Sequence, residues 1–247
     1  MYCRVSINNQ VFHFDWEEAI DISQSFGPDG ANPRAFHLPP TEHKPVEVGD
    51  FIGSVKRGGS ANCDIITFCA HGNGTHTECF GHISPKQESI NRFLPKGLFV
   101  AQLISIIPEN IGNDLVITKA LLEGKINKGI QALILRTDID VIEIGTNWSG
   151  NNPPYFSPEA LAYMSSQEVT HLLTDLPSVD REDDGGTLSA HKTWWNVDGN
   201  IRSEATITEL IYVGRHIKDS KYLLQIQVAP IESDAAPSRP LIFPIQD

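Results

Sequence analysis

Five short apolar, β-branched runs, at residues 64–70, 98–107, 131–137, 207–214 and 222–229, constrain this chain more than any other feature. Each is rich in Ile, Leu and Val and is closed off by Gly, Pro or charged residues. That length and composition suit a pleated sheet rather than a helix. Between some of them the spacing turns helical. Ser157-Pro158-Glu159 opens the clearest helix, because Ser caps and Pro suits the first turn, and Ala160, Leu161 and Met164 continue it. Residues 118–124 predict a second, short helix. At the N-terminus YCRVSI and QVFHFD flank Asn8-Asn9, a pair that tolerates the positive φ of a hairpin turn. Residues 27–48 are rich in Pro, Gly and Asn without periodicity and predict an irregular arm or lid. Strands separated by helices indicate an α/β or α+β chain, and with no linker or repeat in view the expectation is one domain over residues 1–247.

Charge narrows the partners. A formal charge of -12 and a pI near 5.1 repel a phosphate backbone, and Lys and Arg are scattered singly, so no nucleic-acid partner is expected. No run approaches the roughly 18 apolar residues of a membrane span, so no membrane partner is expected either. MYCRVSINNQ lacks an apolar stretch of signal-peptide length. Cys3, Cys63, Cys69 and Cys79 form no CxxC pair, and free thiols in a reducing cytoplasm are the simplest expectation. There the glycosylation patterns Asn73-Gly74-Thr75 and Asn147-Trp148-Ser149 would never meet the machinery.

Chemistry concentrates in HGNGTHTECFGHI, where His71, His76 and His82 surround Glu78. Imidazole with carboxylate suits zinc or manganese better than an all-oxygen cation. If residues 76–82 run extended, His76, Glu78, Phe80 and His82 share one face, since side chains alternate with period two. Gly72-Asn73-Gly74 gives backbone freedom for a bend beside such a site. Nine histidines in this length will also cluster by chance, so spacing alone leaves a structural role open.

The segment resembles the signature HxGTHxDxPxH of the cyclase family, which includes kynurenine formamidases and isatin hydrolases. Gly74-Thr75-His76 is followed by an acid at Glu78 and closes on His82. Downstream, Asp175-Leu176-Pro177-Ser178-Val179-Asp180 is similar to the family's D-S-P-S-V-D turn. His191 in AHKTWW, Glu209 in ATITELIYV, and Gln131 to Arg136-Thr137 follow the family's order. The resemblance implies a compact, β-rich α/β fold of the cyclase type, a mixed sheet with flanking helices, and a homo-oligomer, dimer or tetramer. It implies one or two divalent ions, zinc or manganese, with His76, Glu78, His191 and Glu209 as ligands and His82 as the catalytic acid/base. Three positions depart from the signature. Glu78 stands for Asp, Phe80 for Pro, and the first His falls at Gly72, while the nearest imidazole is His71, one residue early. A bulge at Gly72 or Gly74 would absorb the offset and keep His71 as a ligand. NVDGNIRSE between His191 and Glu209 reads as an inserted loop.

An ion of this kind makes hydroxide available near neutral pH and polarises a carbonyl, and an imidazole passes a proton to the leaving amine. That chemistry points to hydrolysis, and the resemblance implies a small amide or cyclic amide as substrate, an aryl formamide or similar. A non-catalytic metal- or ligand-binding member of the same fold is the alternative, and a purely structural oligomer a third. Trp194, Trp195 and Phe80 are candidate walls for a flat substrate, with core packing as the competing role for the tryptophans. Cys79 reads as a buried, inert thiol, and the acidic run 180–186 as a solvated turn, since EF-hand spacing is missing.

Overall fold

The structure is a computed structural model and describes residues 1–27, 32–139 and 142–246; residues 28–31 of the expected arm lie outside the described residues. Nine strands form its main sheet: β1 Ile20–Asp21, β2 His76–Glu78, β3 Phe99–Ile106, β4 Ala132–Thr137, β5 His171–Thr174, β6 Thr206–Glu209, β7 Lys221–Gln225, β8 Ala235–Pro237 and β9 Leu241–Pro244. Their order across the sheet is β8-β2-β6-β5-β4-β3-β7-β9-β1. The central strands β3, β4, β5 and β6 are parallel, and the strands on either flank pair antiparallel. Parallel strands are covered on both faces, which is why β3 and β4 are mostly apolar rather than alternating.

Connectivity curls this sheet. The chain leaves β8 at one edge and enters β9, next to the opposite edge, after only Ser238, Arg239 and Pro240. So short a connection reaches about 13 Å at full extension, so the two ends must approach each other. They are stitched there: Ile22 N–H donates to Pro240 O at 3.2 Å, and Thr75 N–H, just before β2, donates to Gln24 O at 3.2 Å.

One face carries Leu133, Leu135, Leu172 and Ile207, packed under helices α2 (Pro158–Ser166) and α3 (Ser189–Trp195). Ala101, Leu103, Ile134, Leu173 and Leu224 form a second core on the other face. Ser157 caps α2 through Ala160 N–H, and α2 buries Ala160, Leu161 and Met164. Burying the Leu and Met side chains contributes roughly 1.5–3 kcal/mol each.

The N-terminal hairpin forms as expected, Tyr2–Ile7 against Gln10–Asp15, with Asn8 and Asn9 both at positive φ. A short helix, Lys119–Leu122, lies within the expected 118–124. Three expectations change. The run 207–214 stops being a strand after Glu209, because Leu210 turns to φ 57° and its N–H goes to Leu176 O instead of along a ladder. The run 222–229 is strand only to Gln225. The run 64–70 yields only Asp64–Thr67, an exposed strand paired with Glu42–Pro45 inside the stretch expected to be irregular. EHKP has no apolar alternation, so nothing local marks it as a strand.

Candidate metal centre

Four elements converge on one end of β2. His76 and Glu78 lie on that strand, and Glu209 at the end of β6 sits directly across from His76, with Ile207 across from Glu78. Directly opposed residues share a face, so both carboxylates and His76 point the same way. His71 arrives on a single helical turn, α1 (Ala70–Asn73), and His191 on α3. His82 comes from a 3-10 turn over Phe80–Ile83.

That turn corrects the extended reading of residues 76–82. The strand ends at Glu78; Phe80 packs edge-on against Phe93, with ring centroids 4.8 Å apart, and the turn swings His82 back toward the site. The one-residue offset of His71 is absorbed by the α1 turn rather than by a strand bulge. Gly72 and Gly74 sit in close packing: a Cβ would lie 2.5 Å from the Leu38 side chain at one and 2.4 Å from the Phe26 ring at the other.

The donor atoms divide into two kinds of contact. Inward, Glu78 Oε2 lies 3.2 Å from His71 Nδ1, Glu78 Oε1 3.2 Å from His191 Nε2, and Glu209 Oε2 3.3 Å from His76 Nε2. Yet His76 Nε2 and both Glu78 oxygens are buried without a hydrogen-bond partner. Buried polar atoms are rarely left so. A separation near 3.3 Å is what two ligands at the corners of a tetrahedron show around an ion bound at about 2.0 Å. Outward, each ring's second nitrogen is hydrogen-bonded: His76 Nδ1 to Gly74 O at 3.0 Å, His191 Nδ1 to Asp180 Oδ2 at 2.6 Å, and His71 Nε2 to Asp234 Oδ2 at 2.8 Å. One nitrogen inward and the other tied to a carboxylate or carbonyl is the outer-shell pattern of metal-binding histidines. Among the described residues, three overlapping groups have donors close enough for one ion: His71, His76 and Glu78; Glu78, His82 and His191; His71, His82 and Asp234.

Electrostatics fit that arrangement. Burial opposes protonation of His71 and His191, but the carboxylates outweigh it, Asp234 and Glu78 raising His71 to about 11 and Asp180 and Glu78 raising His191 to about 10. Burial also works against ionising Glu78, Asp180 and Asp234, and their neighbouring imidazoles still hold all three below the ordinary carboxylate range. Cys79 goes the other way, its thiol pushed up to about 11 by burial, which leaves it inert as expected.

Sequence similarity covers much of the same ground. The family profile described as "Putative cyclase" matches residues 20–181. The chain belongs to the cyclase family. No curated protein sequence matches it. Among solved structures it is similar to a potential metal-dependent hydrolase with cyclase activity, at 16% identity and a TM-score of 0.64 over 91% of this chain and 96% of that one. An isatin hydrolase bound to the product analogue thioisatinate aligns at 16% identity and TM-score 0.64, over 93% of both chains. Isatin hydrolase A from Labrenzia aggregata aligns at 13% identity and 0.63, over 92% and 94%. At these identities the likeness establishes a shared fold. No helix among the described residues of this cyclase-family chain is long and apolar enough to cross a membrane.

All six expected metal and acid/base residues, His71, His76, Glu78, His82, His191 and Glu209, are brought together. The expected aromatic wall is not. Trp194 and Trp195 are fully buried in the core, Trp194 under the Arg202 guanidinium and Trp195 beside His191 with its Nε1–H on Ala205 O at 2.9 Å. Phe80 is nearly as buried. None of the three offers surface to a bound molecule. Two site residues carried no site signal in the sequence. Asp180 was legible only as the end of a turn, and Asp234 belongs to no motif.

Proposed function

We propose that this chain is a metal-dependent hydrolase acting on a small amide or cyclic amide, an aryl formamide or similar compound. The observation that carries the reading is the inward-facing set of His76 Nε2 and both Glu78 oxygens, buried and unpaired at ion-ligand spacing. His71, His76, Glu78, His191 and Glu209 would hold the ion. Nitrogen and carboxylate donors without thiolate suit zinc or manganese. Glu78 presents one oxygen to His71 and the other to His191, so either oxygen would be available as a donor to one or two ions. When bound, the ion supplies a hydroxide near neutral pH and polarises a substrate carbonyl.

This chain's own residues supply the rest. His76, Glu78, His191 and Glu209 form a buried floor, while His71, His82 and Asp234 are each about a quarter exposed and rim the open side. Substrate therefore approaches past His82. Its imidazole, 3.9 Å from Glu78, is the group placed to give a proton to the leaving amine. The isatin hydrolases sharing the fold favour cyclic amides among the candidates. The same reading makes the chain a homo-oligomer, supported by the exposed apolar ribbon over Asp64–Thr67.

The test is metal content by plasma mass spectrometry on protein purified without chelator or added metal, followed by hydrolysis of N-formylaniline, isatin and a cyclic imide. About one or two equivalents of zinc or manganese, with turnover of one compound, is expected. Absence of metal, with none taken up on incubation with either ion, removes the reading. Tight metal binding without turnover across the panel makes the chain a non-catalytic metal- or ligand-binding member of the fold.

A further inference from the structure

Asp234 enters the site from a segment far from every other site residue. It lies immediately before β8, and the chain on both sides of it is pinned. Its own carbonyl accepts from Cys79 N–H at 3.0 Å, and the Ser233 carbonyl accepts from Ile90 N–H at 2.9 Å. The side chain is pinned too, because the Ser233 hydroxyl donates to Oδ1 at 3.0 Å. That leaves Oδ2 aimed at two imidazoles, His71 Nε2 at 2.8 Å and His82 Nδ1 at 3.3 Å. The two rings lie 4.2 Å apart at 30°, close to stacked, so their edges reach the same oxygen.

A carboxylate only accepts hydrogen bonds, so each nitrogen facing Oδ2 must carry its hydrogen. That decides both tautomers together. With an ion on the inward side, His71 holding hydrogen on Nε2 presents its Nδ1 lone pair there, beside Glu78 at 3.2 Å. His82 with hydrogen on Nδ1 keeps its Nε2 lone pair for proton exchange. We infer that Asp234 is a positioning residue, whose single oxygen selects the ion-binding nitrogen of His71 and the proton-handling nitrogen of His82. The inference rests on the hydrolase reading for the ion at His71 and the role of His82, and on geometry for the two hydrogens that face Asp234. It also accounts for how His71, one residue out of the family's register, is held to a fixed orientation.

The experiment uses the full chain and zinc(II) alone as probe. Zinc affinity and stoichiometry are measured by competition with a chromophoric chelator for the wild type, Asp234→Ala and Asp234→Asn. Long-range proton–nitrogen correlation spectra of the histidine rings report which nitrogen of His82 carries hydrogen. Asp234→Ala is expected to bind the same number of zinc ions with roughly 10- to 100-fold lower affinity. Its His82 is expected to lose the pure Nδ1–H form. Asp234→Asn, which keeps shape and one acceptor, should fall between the two and covers a failure of the alanine variant to fold. Affinity within threefold of the wild type and an unchanged His82 tautomer overturn the inference. Loss of one whole equivalent of zinc also overturns it, because Asp234 would then be a ligand. A wild type that binds no zinc defeats the hydrolase reading instead, and the His82 tautomer still decides the inference.

Discussion

His171 and His191 are both buried histidines, and their surroundings push them in opposite directions. Two carboxylates meet His191, whereas His171 lies on β5 against the Phe99 ring with its Nδ1 on the Thr206 hydroxyl at 2.9 Å. Burial lowers His171 to about 4, with Arg202 adding to the effect. It is therefore neutral in the fold, while the unfolded chain takes up a proton near pH 6.5. The sign follows: its stabilising contribution is complete above about pH 6.5 and is lost as pH falls toward 4, by up to about 3 kcal/mol. His171→Asn keeps a partner for Thr206 and removes this term. Urea unfolding at pH 7 and pH 4.5 should show a smaller acid loss in the variant, and equal losses would refute the assignment. At the candidate metal centre the expectations separate by residue. His76→Ala should come off the column without metal, while His82→Ala should keep its metal and lose turnover by about 10²–10⁴-fold.

At the scale of elements, the site depends on how two turns join β2. The 3-10 turn over Phe80–Ile83 presents His82, and Gly81 makes it possible: a Cβ there would lie 2.0 Å from the Glu88 backbone carbonyl. Backbone cannot yield as a side-chain tip can, so Gly81→Ala must push the turn and the 84–88 segment apart. A destabilisation of about 1–3 kcal/mol, read as a fall in thermal midpoint, is expected, with His82 displaced from Asp234. An unshifted midpoint would show that the turn has slack. These turns also mark the limit of what the sequence makes legible. Period-two alternation correctly puts His76 and Glu78 on one face, since that argument needs only three residues of strand. It fails at Phe80 because the turn is closed by contact with Glu88, which no local pattern encodes. Asp180 and Asp234 stayed hidden for a related reason. Each reaches histidines of other elements through one hydrogen-bonded oxygen, 11 residues away for Asp180, and 163 and 152 for Asp234. Short apolar runs mark the central strands, whereas Glu42–Pro45 is a strand only because Asp64–Thr67 pairs with it.

At the scale of the molecule, the curled sheet buries its own apolar faces, and one ribbon beside it leaves neighbouring isoleucines exposed. Asp64–Thr67 pairs with Glu42–Pro45 in a two-stranded ribbon outside the main sheet, and Ile65 and Ile66 are 60% and 50% exposed. Neighbouring residues on a strand point to opposite faces, so neither face of this ribbon is covered. Val48 and Phe51, paired in the adjoining ribbon, are exposed as well. An isolated two-stranded ribbon is marginal in water, and contiguous exposed apolar surface marks a contact. The homo-oligomer proposed above supplies that contact with a second copy of the same surface. Sedimentation velocity at micromolar concentration should then give a dimer or tetramer of the 27.3 kDa chain. Ile65→Lys with Ile66→Lys places charge on both faces of the ribbon and should shift that species to the monomer. The paired substitutions lie where no side chain is buried, so the fold itself should survive them, with circular dichroism unchanged. A wild type that sediments as a monomer would sink the oligomer. A doubly substituted chain that stays assembled would move the interface to another surface.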